Sequence, residues 1–209
     1  MDTPDPIFKR VIVYIDGFNL YFGMRDAGWN QFFWLDVYKM AENILPPQTK
    51  LVGVNYFTSR ISRPPGKQKR QVNYIEAVET TPAEIIFGKY QNEPFYCEFC
   101  DQEITLSKEK MTDVNIAVHM VVDAFQSNFD IALLVSGDSD LAPPVSEILR
   151  LFPEKKIIIA FPPKRKSYEL ESVATNNFIL TRNNLKDSQF PESVVKKDGF
   201  ILRRPDSWN

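Results

Sequence analysis

Ser136-Gly137-Asp138-Ser139-Asp140 follows the apolar run Ile131-Ala132-Leu133-Leu134-Val135 and precedes a helical stretch, and that order decides the fold. A short unbroken apolar run bounded by turn residues reads as a central parallel strand covered on both faces. Two carboxylates one residue apart, just beyond it, stand where open α/β sheets keep their ligand crevice. The same residues also suit a plain structural end, with Asp140 as the N-cap of the next helix and Gly137 and Asp138 as a turn. Acids at other strand ends weigh between the two.

Working outward, Val11-Ile12-Val13-Tyr14-Ile15 repeats the pattern and ends at Asp16-Gly17-Phe18-Asn19. Further strands are expected over residues 51–58, 156–161 and 178–180. Helices are expected over 20–26, 36–44, 68–78, 110–126, 140–151 and 168–174, with Asp36 as a cap and Pro143-Pro144 in a first turn where a missing N–H is harmless. Strands separated by helices predict an α/β protein of three layers, αβα, around a mostly parallel central sheet. One domain over residues 1–185, interrupted by a hairpin near 83–107, and a C-terminal tail over 186–209 complete the expected organisation. The residues leave open whether the tail packs or swings free.

The hairpin is expected from strands at 84–90 and 94–97, joined through Gln91-Asn92-Glu93 and ending in Cys97-Glu98-Phe99-Cys100. A lone Cys-x-x-Cys supplies half of the usual four zinc ligands, so two reduced thiols are expected rather than zinc. With 2 cysteines in the chain, a disulfide framework is not expected.

The 209 residues are 44% hydrophobic and 25% charged, an ordinary globular composition. The net charge of −2 gives no global basic footprint. A nucleic acid would have to be gripped by local patches and bound cations. No apolar run is long enough to cross a bilayer, and the start Met1-Asp2-Thr3-Pro4-Asp5 lacks the regions of a signal peptide, so a cytoplasmic protein without membrane contact is expected.

Two basic stretches are candidates for phosphate contact. Residues 59–70, with Arg60 and Arg63, hold several bases and no acid, and fit a phosphate grip or a solvated loop about equally. Lys164 and Arg165 follow the strand at 156–161 and share the rim of the acidic loop if the sheet is parallel. Asp113 falls in helical line with Ala117, Met120, Val121 and Ala124, residues expected to be buried. An acid there needs a cation or several donors, although the first turn of a helix also favours carboxylates for structural reasons. His119 shares a more polar stripe with Asn115 and Asp123 and reads as a surface residue.

In such a sheet Asp16, Asp138 and Asp140 emerge on one edge and converge if their strands are neighbours. Crowded carboxylates raise one another's pKa, and a divalent ion with oxygen ligands relieves them. Neither Gly-x-Gly-x-x-Gly nor a phosphate-binding Gly-x-x-x-x-Gly-Lys-[Ser/Thr] loop occurs, Phe18 replaces the second aspartate of one phosphatase superfamily, and Asp16 stands where topoisomerase-primase sites take Glu.

Asp16-Gly17-Phe18-Asn19, Glu109-Lys110-Met111-Thr112-Asp113-Val114 and Ser136-Gly137-Asp138-Ser139-Asp140-Leu141 resemble, in order, the three signature segments of NYN domains, within the PIN-like nuclease superfamily. The likeness spans roughly residues 8–182 and is nearest the LabA/DUF88 branch. It implies a Mg²⁺- or Mn²⁺-dependent endoribonuclease that hydrolyses RNA phosphodiester bonds with a metal-activated water. Asp16, Asp113, Asp138 and Asp140 would be the catalytic and metal-holding residues. Asn19 would orient a ligand or substrate phosphate, Lys110 would meet a phosphate or a neighbouring carboxylate, and Ser136 would support the acidic loop. The alternative is a non-catalytic RNA-binding or protein-interaction module that retains the ion site, with a homodimer or a protein partner also open.

Overall fold

The computed structural model describes residues 8–61, 64–97, 99 and 102–208; the Met1–Asp5 start, Arg63 and Cys100 lie outside the described residues. Six strands form the central sheet: β1 (Lys9–Asp16), β2 (Thr49–Thr58), β3 (Glu84–Phe87), β6 (Ile131–Val135), β7 (Lys156–Phe161) and β8 (Asn176–Ile179). Their order is β3-β2-β1-β6-β7-β8, and each neighbouring pair is parallel. The chain walks outward from β1 to β3 on one side and from β6 to β8 on the other. The order therefore reverses between β1 and β6, the point where open α/β sheets keep their ligand crevice, at the strands' carboxyl ends.

β1 shows how the layers form. Val11, Val13 and Ile15 point to one face and join a core with α1 (Gly17–Asp26), α2 (Val37–Asn43) and α3 (Pro65–Val78). Ile12 and Tyr14 point to the other and join α4 (Thr112–Phe125), α5 (Ala142–Leu151) and α6 (Tyr168–Val173). A strand buried on both faces has no polar alternation, which is why it reads as a continuous apolar run. The Tyr14 hydroxyl donates to Asp123 at 2.7 Å, so this core ring keeps a satisfied polar end; burial, then that bond, push its pKa far up. His119 is half-buried, its ring edge-on to Phe57 at 5.4 Å. No described helix is long and apolar enough to cross a membrane.

Three expectations need correction. Residues 84–87 are an arm of the main sheet, paired with β2 from Asn55↔Glu84 to Thr58↔Phe87. The hairpin is instead β4 (Lys89–Cys97) with β5 (Gln102–Lys110), and residues 91–93, expected as its turn, lie inside β4. Local pattern marks a strand but does not name its partner. On α4, the buried line is Thr112, Ile116, Met120 and Ala124, whereas Val121 is exposed in a stripe with Met111, Val114, Val118 and Phe125. That helix is apolar on two faces, so periodicity alone does not fix which one meets the sheet.

The C-terminal segment packs. α7 (Arg182–Lys186) and the two short strands β9 (Ser193–Val195) and β10 (Ile201–Arg203) bring Phe190, Val194, Leu202 and Trp208 into the core on the α1 face. The Trp34 indole donates to the Pro191 carbonyl at 2.7 Å, which ties this segment to the loop before α2.

Candidate functional site

β1 runs straight into α1, and Asp16 serves both elements. It is the last strand residue and the N-cap of the helix, where its Oδ1 accepts from the Asn19 backbone N–H at 2.9 Å. Gly17 is required here, because a Cβ would stand 2.6 Å from the Tyr56 ring and 2.8 Å from the Phe57 carbonyl oxygen. Asp16 itself is buried.

Beyond β6, the acidic loop folds onto Asp16. The buried Ser136 hydroxyl donates to Asp16 Oδ2 at 3.0 Å and accepts from the Asp138 N–H at 3.1 Å. Asn19 Oδ1 accepts from the Gly137 N–H at 3.0 Å. One hydroxyl thus couples two aspartates that are distant in sequence, and one amide fixes the loop to α1. Asn19 is therefore a brace between the two segments, a role its proximity to Asp16 in sequence does not reveal.

Asp138, rather than Asp140, starts the next helical turn. Its Oδ1 accepts from the Asp140 N–H at 3.0 Å, capping a 3-10 turn over Ser139–Leu141 that leads into α5. Asp140 is exposed in that first turn. The 3-10 turn separates the cap from α5 proper, whose first turn holds Pro143 and Pro144, where missing N–H groups are tolerated.

The loop after β7 buttresses both elements. A Cβ on Gly23 would lie 2.8 Å from the Pro162 Cβ, and one on Gly137 would overlap the Arg165 carbonyl oxygen. The chain from Pro162 to Arg165 is thus wedged between α1 and the acidic loop. Gly137→Ala should force these apart; overpacking of this kind costs about 1–3 kcal/mol. At about 2–4 °C per kcal/mol for a chain of this size, the melting temperature should fall by about 5 °C. Gly28→Ala, whose Cβ would meet open space, is a poor control because its φ is +70°; Gly53→Ala, in ordinary contact only, is the better one.

Asp113 comes from α4, on the face of the sheet opposite α1. α4 starts after Met111, which holds a left-handed conformation (φ 79°), and no side chain caps it. A non-glycine residue there carries backbone strain, and it turns the chain so that Asp113 enters the first helical turn half-buried. Burial raises the Asp113 pKa first, and the charges of Asp138 and Asp140 raise it further. The three carboxylates therefore share one electrostatic environment. With the folded-state pKa above the unfolded one, the stability contribution is intact at acid pH and is lost as pH rises through the raised value. In chelator, Asp113→Asn should melt higher than the parent at neutral pH, with the gain vanishing below about pH 4; a gain unchanged with pH would contradict this.

The candidate basic residues do not gather into one patch beside the aspartates. The Arg60 guanidinium lies over the Phe87 ring at 4.8 Å. Lys164 is exposed in a left-handed conformation (φ 60°), and Lys110 is exposed at the end of β5, just ahead of Asp113. The Arg165 guanidinium is ion-paired with Asp26 at the end of α1, so it points along the buttress while its backbone carbonyl presses on Gly137. The close approaches at Gly17, Gly23 and Gly137 were hidden from pattern reading, since a glycine in a loop looks the same whether or not another backbone lies against it.

Among the described residues, no three His, Cys, Asp or Glu side chains form a group placed to hold one ion. Mg²⁺ and Mn²⁺ keep several waters and take one or two carboxylates directly. Oxygen-only donors, with the Asp113 pKa raised by burial and then by the charges of Asp138 and Asp140, suit a hydrated hard cation and do not suit a thiolate or imidazole cage.

The NYN domain family model matches residues 10–182. The chain belongs to the NYN family. This places it in the PIN-like superfamily, and the three-layer parallel sheet agrees with that architecture. The NYN chain is 25% identical, over a 189-residue alignment, to 6-hydroxy-3-succinoylpyridine 3-monooxygenase HspA of Pseudomonas putida (strain DSM 28022 / S16). That alignment covers 73% of this chain and 59% of the Pseudomonas protein, so the chain spans about three-fifths of the length of the curated relative it matches. In fold, it resembles a protein of unknown function, VPA0982, from Vibrio parahaemolyticus RIMD 2210633, with a TM-score of 0.58 and 20% identity over 91% of this chain and 100% of that one.

Proposed function

We propose that this NYN protein, of the LabA/DUF88 branch, is a cytoplasmic Mg²⁺- or Mn²⁺-dependent endoribonuclease. The observation that carries the reading is the coupling of Asp16 to the acidic loop through Ser136, at the sheet's reversal point, with Asp113 on α4 in electrostatic contact with that loop's Asp138 and Asp140. Asp16, Asp113, Asp138 and Asp140 would hold the ion, directly or through its waters. When bound, it supplies Lewis-acid chemistry that makes water a competent nucleophile and neutralises charge developing on the phosphate.

The chain's own residues do the rest. Ser136 holds Asp16 and the Asp138 backbone in one arrangement, so the carboxylates need no reorganisation when substrate arrives. Asn19 keeps the loop closed on α1. Lys110, Lys164, Arg60 and Arg63 are the candidates for contact with the RNA backbone, each through charge rather than base identity. Hydrolysis breaks a P–O bond by addition of water, with no covalent intermediate on the protein.

A second reading is favoured by the openness of the acid group: a non-catalytic RNA-binding or protein-interaction module with a loosely held divalent ion. Labelled RNA incubated with Mn²⁺ or with chelator separates the two. Metal-dependent cutting supports the nuclease, and retention of RNA without cutting supports the module. The monooxygenase reaction belongs to a relative of which this chain spans 59%. Turnover of a hydroxylated pyridine with O₂ and a reductant, in place of RNA, would redirect the assignment.

A further inference from the structure

Beside Asp16, on the α1 face of the sheet, lies a cavity of about 250 Å³ between α1 and α3. Its walls are rings from four separate parts of the chain: Phe18 and Phe22 on α1, Tyr56 on β2, Tyr74 on α3 and Trp208 near the C-terminus. The rings are set against one another rather than loosely gathered. Phe18 and Phe22 stack at 5.8 Å, Tyr56 and Tyr74 meet edge-on at 6.2 Å, and Tyr74 and Trp208 do so at 6.1 Å. The Tyr74 hydroxyl is anchored on the Leu35 carbonyl at 2.9 Å, so the floor is fixed before any ligand arrives.

Rings alone would suit a quaternary ammonium as well as a flat ligand. The charges decide against a cation: Arg25, Lys67 and Arg70 line the cavity, and no acid does so among the described residues. Arg25 is paired with Asp26, whereas Lys67 and Arg70, three residues apart on α3, are not in any ion pair among the described residues. Two bases at that spacing share one helix face and offer a point charge and a planar fork to the same anion. The volume of about 250 Å³ lies just below the usual range for a drug-sized ligand and suits one ring system, with any phosphate outside it.

We propose that this cavity binds a nucleotide, with the base among the rings and the phosphate on Lys67 and Arg70. An aromatic plane and a doubly charged anion on one small ligand match the two halves of the site. Base stacking on such rings is sequence-tolerant, and Thr58 at the wall supplies a polar contact for the base edge. The bases of residues 59–70 thus find their aromatic partners on α1 and at the C-terminus, far away in sequence.

Calorimetry on the full chain in chelator tests this with AMP, adenosine, ribose 5-phosphate and benzoate. AMP should bind at least tenfold more tightly than each of the others. Arg70→Ala, a half-exposed helix position where alanine is well tolerated, should weaken AMP at least tenfold and leave adenosine unchanged. Phe22→Leu should weaken AMP and adenosine alike. An uncleaved oligoribonucleotide that displaces AMP, and is itself weakened by Arg70→Ala, identifies the base of an RNA chain as the occupant; one that does not displace AMP identifies a free nucleotide. Benzoate binding as tightly as AMP, no AMP binding at millimolar concentration, or AMP binding indifferent to Arg70→Ala overturns the proposal. The cleavage assay is independent: absence of cutting with AMP bound leaves the cavity standing, and cutting without any nucleotide response sinks the cavity alone.

Discussion

Asp138→Asn is expected to reduce Mn²⁺-dependent RNA cleavage by about a thousandfold. Electrostatic stabilisation by a bound ion is worth several kcal/mol, and about 4 kcal/mol corresponds to a factor of about 1,000 in rate. The substitution isolates charge from structure. Asn is as good a cap as Asp, and its side-chain oxygen can still accept from the Asp140 N–H, a bond of 3.0 Å in the parent. The melting temperature should therefore stay within about 2 °C while activity collapses. Any residual activity should also shift: Asp138 is one of the charges that raise the Asp113 pKa, so its loss moves an acid limb governed by Asp113 to lower pH. Cutting by the variant at the parental rate would remove the aspartates from the mechanism.

Trp208→Ala should be the most destabilising of the substitutions considered. The ring is 8% exposed and packs edge-on to Phe33 at 5.7 Å, with Trp34 at 6.2 Å and Tyr74 at 6.1 Å. Truncating a buried Trp costs about 3–5 kcal/mol because the surroundings collapse only in part. At about 2–4 °C per kcal/mol, the midpoint of thermal unfolding should fall by about 10 °C. The backbone around it is also tied down: Arg204 donates to the Gln31 carbonyl at 2.7 Å and to the Trp208 carbonyl. A melting curve unchanged by the substitution would show that the C-terminal segment adds nothing to the core. The same variant should weaken any ligand of the neighbouring cavity, so binding is read on Arg70→Ala and Phe22→Leu instead.

Much of the framework was legible along the chain. The apolar runs at 11–15, 131–135 and 156–161 are central strands because both faces are covered, and Asp36 caps α2 as its residue type and position imply, accepting from Tyr38 and Lys39 N–H groups at 3.0 Å. The resemblance carried by three short acidic segments named the family. These features depend on residues within one or two turns of each other, and sequence periodicity reports directly on that scale.

The rest depended on which distant segments meet. Only the strand order puts β1 beside β6 and so lets Ser136 join Asp16 to the Asp138 backbone. Only packing shows that residues 84–87 pair with β2, that Asp138 takes the capping role assigned to Asp140, and that Arg165 turns away to Asp26. Trp208 and Phe18 line one cavity although most of the chain lies between them. The residues determined that strands, helices and acidic turns would form, since those follow from backbone sterics and local burial. The tertiary structure decided which of them touch, because partners far apart in the chain are chosen by total burial and hydrogen-bond satisfaction, which no local window contains.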